Sequence, residues 1–177
     1  GAIPLRVGVG GSPDSVVRAA RLGIPMALAI IGGDPARFAP FANLYKEQLA
    51  KFGHSELPVS IHSPGFIAET DHDAVETQWP HHATAFGRIG RERGWPPTTA
   101  ERFMAEIQHG SLYVGSPETV AKKIANAVTA LGVTRFDMKY ATGPMPHETL
   151  MEGIRLYGEA VIPMVQDMVA GAKVAAQ

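Results

Sequence analysis

Apolar and polar positions change period several times along this chain. Leu5, Val7 and Val9 alternate over a short strand, which passes through Gly10 and Gly11 into an amphipathic helix that reaches Leu22. Gly23 ends that helix. Pro25 to Ile31 (PMALAII) is an almost unbroken apolar run, the pattern of a strand buried on both faces. Gly32-Gly33-Asp34-Pro35 then reads as a turn with an N-cap and a first-position proline. The helix that follows sets Phe38, Phe41, Tyr45, Leu49 and Phe52 three and four residues apart and closes at Gly53. Pro58 to Ala68 opens with alternation, so the expectation is a strand interrupted or bulged at Pro64-Gly65. Thr70 caps a further helix, which Pro80 is expected to kink or break before Phe86 and Ile89.

The alternation lapses over residues 91–110. Gly94-Trp95-Pro96-Pro97 breaks the chain and Glu101 to Ile107 predicts a short helix, so this stretch reads as an inserted loop of the kind that forms lids. Leu112 to Val114 is a short extended segment, and the helix after it carries Val120, Ile124, Val128 and Leu131 before Gly132. Val133 to Tyr140 alternates as a strand. A last helix carries Leu150, Ile154, Tyr157 and Val161, with Pro163 expected to kink its end. Strands alternating with helices over short connections predict an α/β fold with a parallel sheet and right-handed crossovers. About four βα units, forming one domain over residues 1–177, suit a small open sheet or half of a (β/α)8 barrel. In both, the strand ends that precede the helices share one edge, where sites form.

The stretch LRVGVGGSPDSVVRAARL carries the clearest chemistry. Gly10 and Gly11 let the backbone turn sharply, Ser12 suits the N-cap, Pro13 the first helical position, and Asp14 complements the helix dipole. Free N–H groups at such a junction favour a phosphate, and the hydroxyls of Ser12 and Ser15 lie on the same first turn. A plain βα turn is the bland alternative. A dinucleotide fingerprint is the tempting one, but Pro13 stands where its third glycine belongs, and the acidic residue is displaced to Asp34. Gly115-Ser116-Pro117-Glu118-Thr119-Val120 nearly repeats the motif with one glycine in place of two, and there helix capping is the better reading.

Composition narrows the function classes. With 16 basic and 17 acidic side chains among 177 residues, the chain has no electrostatic footprint for nucleic acid or an anionic membrane, so a small-molecule substrate is the first expectation. No apolar run approaches a bilayer's thickness and no signal-peptide pattern opens the chain, which makes the cytoplasm the default location. Gly1, in place of a methionine, reads as an expression remnant. Cysteine is absent, and His62, His72, His81 and His82 show no metal-binding spacing, so no metal site is expected. His62, near a strand end, could reach a ligand or satisfy a buried carbonyl. A nucleophile elbow fails at Asp14, and no general acid/base pair stands out, so no catalytic residue is assigned.

Taken together, VGVGGSPDSVVRAARLGIPMALAIIGG, FANLYKEQLAKFGH, FIAETDHDAV, LYVGSPETVAKKI and RFDMKYATGPMPHE resemble the bacterial luciferase-like flavin-dependent monooxygenases, in order and over nearly the whole chain. The resemblance implies the C-terminal half, about strands five to eight, of a (β/α)8 TIM-type barrel with an insertion before the last units. It implies an FMN phosphate held by Gly10, Gly11, Ser12 and Ser15, with Ile30 against the isoalloxazine ring; coenzyme F420 with hydride transfer is the alternative. The parent reaction would use reduced FMN and oxygen to oxygenate an organic substrate, leaving room for a flavin reductase as partner. Gly11 replaces a bulkier residue of the luciferases. The N-terminal half, which supplies the polar groups around the reactive flavin, has no counterpart here. The chain alone is therefore expected to be inactive, with the missing half or a second copy (a homodimer) as its partner. A non-catalytic flavin binder or half-barrel assembly module is the remaining alternative. A half-barrel should expose two unpaired sheet edges and a bare apolar interior.

Overall fold

The computed structural model describes residues 3–175, so the expectation for Gly1 lies outside the described residues. Five parallel strands form the sheet: β1 (Val7–Val9), β2 (Met26–Ala29), β3 (Val59–Ile67), β4 (Tyr113–Gly115) and β5 (Arg135–Lys139). Seven α-helices follow in chain order: α1 (Pro13–Arg21), α2 (Ala39–Lys51), α3 (Asp71–Arg93), α4 (Ala100–Gln108), α5 (Pro117–Leu131), α6 (His147–Leu156) and α7 (Ile162–Ala175). A 3-10 turn (Pro35–Phe38) leads into α2, and a π-helical turn (Tyr157–Val161) joins α6 to α7. No described helix is long and apolar enough to cross a membrane.

The sheet is organised around β3. Its first half pairs with β2 on one edge and β5 on the other, Ile61 lying level with Leu28 and Phe136. From Gly65 onward it pairs with β4. The expected interruption at Pro64-Gly65 is thus a change of partner within a continuous strand. Pro64 has no N–H for a ladder, so the handover falls where one hydrogen bond is already forfeited. Gly65 is required by packing: a Cβ there would lie 2.6 Å from the Tyr113 carbonyl oxygen and 2.9 Å from the end of Met138.

Alternation along the strands separates two faces. Val9, Met26, Leu28, Ile30, Val59 and Ile61 point to the helices and are buried with Val16, Ala20, Tyr45, Leu49 and Ile124 in the main core. The other face carries Gly8, Ala27, Ala29, Ser60 and His62, with Asp137 level with His62. Small and polar residues therefore line the face expected to be bare and apolar. A second cluster covers its far end, where Phe66 packs with Ala74, Phe103, Leu112 and Met145.

Two prolines lie inside helices, and neither breaks its helix. Helix α3 runs unbroken through Pro80, and Thr84 Oγ donates to the Pro80 carbonyl at 2.9 Å. Burial of Ala74, Gln78 and His82 along one stripe holds both halves of the helix in line, which outweighs the lost backbone bond. At Pro163 the helix continues as α7 to Ala175, and the backbone is distorted just before it by the π turn. The π turn immediately before it widens the backbone where the proline ring would crowd the carbonyl four residues earlier.

Gly65→Ala is expected to lower stability by about 1–3 kcal/mol in urea denaturation through overpacking at the handover. Gly8→Ala, whose Cβ would meet nothing within 4 Å, is expected to stay within about 0.5 kcal/mol of the parent.

Candidate functional site

The C-terminal ends of β1 and β2, the turns that follow them and the inserted segment frame a cavity of about 390 Å³. Gly10, Ala29, Ile31 and Gly32 contribute its strand-end wall. Phe38 bridges this wall to the first helix junction, because its ring lies 3.8 Å from where a Cβ on Gly11 would sit. The segment expected over residues 91–110 consists of the last turn of α3, a stretch without regular structure over residues 95–99, and α4. Gly94, at φ 67°, closes α3, and the Thr99 hydroxyl accepts from the Arg102 N–H to open α4.

Two charged residues fix that segment, and neither stood out in the sequence. The Glu106 carboxylate accepts the Gly33 N–H at 3.0 Å and the Ser111 N–H at 3.2 Å, tying α4 to the turn after β2. Lys123, reaching across from α5, donates to the carbonyls of Glu106, Ile107 and Leu112 at 3.1, 2.5 and 2.8 Å. Two of these carbonyls belong to the last turn of α4 and one to the segment after it, and three acceptors match the three protons of an ammonium. Burial pushes the Lys123 amine down to about 8, with the Glu106 carboxylate pulling the other way.

The two similar turns differ in what fills them. At α5, the Ser116 hydroxyl accepts from the Thr119 N–H, and the Asp71 carboxylate takes the Ser116 N–H at 2.6 Å and the Thr119 hydroxyl at 2.9 Å. Burial alone would raise the Asp71 pKa, but these hydrogen bonds outweigh it and hold the carboxyl below its usual value. The turn thus binds an anion that the chain itself provides. At α1, Ser12 occupies the N-cap position with extended backbone, yet its hydroxyl makes no capping bond. Ser12 is exposed, and Ser15 Oγ accepts from the Arg18 guanidinium at 3.2 Å. Gly11 adopts φ 106°, a conformation that favours glycine.

Gly10, Gly11, Ser12 and Ser15 therefore lie together at one junction. Ile30 lies apart from them as a side chain: it is fully buried in the main core, while its neighbours Ala29 and Ile31 line the cavity. Its backbone is fixed by the Ile30 N–H donating to the His62 carbonyl at 3.0 Å and by the Ser63 hydroxyl donating to the Ile30 carbonyl at 2.8 Å. His62 itself is exposed on the open face. Arg18, which brings a cation to the first turn, went unnoticed in the sequence; its signal was the Ser-x-x-Arg spacing that places both on one side of α1.

The sequence profile of the luciferase-like monooxygenases matches residues 1–135. The chain belongs to this family. Solved structures with the family fold agree with the match. The monooxygenase RslO1 from Streptomyces bottropensis superposes with a TM-score of 0.69 at 19% identity, covering 89% of this chain and 47% of that one. The oxygenating constituent of 3,6-diketocamphane monooxygenase from the CAM plasmid of Pseudomonas putida, solved with FMN, gives 0.66 at 16% identity, covering 90% and 48%. The coenzyme F420 dependent tetrahydromethanopterin reductase of Methanopyrus kandleri gives 0.60 at 22% identity, covering 91% and 50%. This luciferase-like chain spans about half the length of the structures it matches. No curated protein matches it.

One ionisable group lining the cavity is held far from its ordinary behaviour. His82 is 8% exposed and sandwiched between Phe86, stacked at 4.2 Å, and Phe103 at 4.9 Å. Burial pushes its pKa down to about 4. A histidine that is neutral when folded but charges near pH 6.5 when unfolded contributes fully above pH 6.5 and loses that contribution as the pH falls toward 4. Urea denaturation at pH 7 and pH 4.5 is expected to show about 2–3 kcal/mol of acid destabilisation from this residue, and His82→Phe to remove that part.

Proposed function

We propose that the chain is the C-terminal half, about strands five to eight, of a luciferase-like flavin-dependent monooxygenase barrel, forming one partial-barrel domain over residues 1–177. Its α1 junction holds the phosphate of FMN. The carrying observation is the contrast between the two turns. The same Gly-Ser-Pro-acid pattern holds the Asp71 carboxylate at α5 and leaves Ser12 uncapped and exposed at α1. In this role Gly10 and Gly11 bring the backbone close, Gly11 and Ser12 offer N–H groups, and Ser12 and Ser15 offer hydroxyls. Arg18 adds the positive charge that offsets Asp14. Ile30 serves by supporting the strand-end wall from beneath, so any ring lying there meets Ala29 and Ile31 first.

Bound flavin would supply the redox and oxygen chemistry, and the residues of this chain bind it, orient it and cover it against water. No candidate acid/base group of this chain faces the junction in a catalytic arrangement. The remaining barrel strands, from the rest of a longer polypeptide or from a second copy, are read as the source of the catalytic groups, and the chain alone as inactive. A flavin reductase fits as the supplier of reduced cofactor. The Methanopyrus relative keeps coenzyme F420 with hydride transfer as the second reading, and the absorption spectrum of bound cofactor separates the two.

Replacing Ser12 and Ser15 together by alanine is expected to weaken FMN binding, followed by flavin fluorescence, by about 1–3 kcal/mol through lost hydrogen bonds to charge. Ser116→Ala is expected to cost about 0.5–2 kcal/mol of stability without changing FMN affinity. Equal affinity in the Ser12/Ser15 variant would overturn the phosphate assignment.

A further inference from the structure

The cavity under the inserted segment is chemically unlike the α1 junction. Phe38, Phe86, Trp95 and Phe103 supply aromatic walls, and Pro96 and Pro97 supply flat, rigid apolar surface. Its walls hold one carboxylate, Glu106, and one guanidinium, Arg102. Both oxygens of Glu106 accept backbone N–H groups, and Arg102, one helical turn before Glu106, donates to the Pro97 carbonyl at 3.4 Å. Trp95 has the Arg93 guanidinium 5.3 Å from its ring, so a cation from this chain already uses that ring. With His82 neutral, the walls therefore carry no net formal charge, which favours an uncharged ligand.

His82 is the exception among the wall groups. Its imidazole is more than nine-tenths buried, is fixed between two phenyl rings, and has Nδ1 without a hydrogen-bond partner. Burial keeps it neutral, so it can offer one donor and one acceptor but no charge. His82 lines the cavity, so a ligand oxygen inside it can meet the exposed part of the imidazole. Volume, aromatic walls and one convergent polar group are the ordinary features of a small-molecule site.

We propose that this cavity binds a planar, uncharged aromatic molecule of two or more fused rings that presents a hydroxyl or carbonyl oxygen to His82. Trp95 and Phe86 stack on its faces and Phe38 sets its depth toward the strand ends. Such a molecule would be the organic substrate of the site described above, and in that role the inference rests on the flavin reading. The binding itself does not.

Equilibrium dialysis of the flavin-free chain against 2-naphthol, naphthalene and 2-naphthoate at pH 7 tests it. The expectation is saturable 2-naphthol binding roughly fivefold or more tighter than either analogue. Trp95→Ala, at an exposed position, is expected to reduce 2-naphthol affinity roughly fivefold, and His82→Phe to make 2-naphthol and naphthalene bind alike. No saturable 2-naphthol binding by chain that is folded by circular dichroism would overturn the proposal, as would unchanged affinity in Trp95→Ala or tightest binding of 2-naphthoate. If His82→Phe does not fold, the wild-type ligand series and Trp95→Ala still decide the matter. Failure of the flavin reading would show separately, as absence of FMN binding in the same dialysis.

Discussion

The double-edged pairing of β3 is the constraint on which the rest depends. One nine-residue strand holds β2 on one side, β5 on the other and β4 at its far end. Parallel strands cannot pair without long crossovers, so each partner brings its helices to β3 with it. The core on one face, the second cluster at the strand ends and the entry of α3 all follow from where those partners stop. Gly65 sits at the handover between β5 and β4 because no side chain fits between two strands that exchange places there.

From that frame the chemistry is assigned to one edge. Strand ends carry the exposed α1 junction on one side and the aromatic cavity on the other, with Phe38 touching both. The helices beneath are ordinary in composition, and the open face is small and polar instead of greasy. A sheet with such an open face has less tendency to associate through it than an apolar one would have.

Sequence pattern carried the element order well, because period-two and period-3.6 segments alternate cleanly and glycines mark most helix ends. It also separated Ser12 from Ser116, since one glycine more or less changes how closely the backbone can approach a ligand. Pro80 does not break its helix: a proline's local penalty is visible in sequence, while the tertiary burial that outweighs it is not. Glu106 and Lys123 were illegible for a related reason. Glu106 is 73 positions from the Gly33 N–H it accepts, and no local period reports such a bond. The burial of Ile30 was hidden by the run it belongs to: an unbroken apolar strand does not say which residue faces which side.

The Glu106 and Lys123 contacts also decide where the inserted segment is braced. They pin α4 at its C-terminal end, and Gly110 is held there because any side chain would collide with the Glu106 carboxylate. The stretch over residues 95–99 is tied locally, the Trp95 N–H to the Gly90 carbonyl and Arg102 to the Pro97 carbonyl. The long ties of the segment thus gather at its C-terminal end, where α4 and the Gly33 turn form one brace across the cavity, like a strut set between two walls.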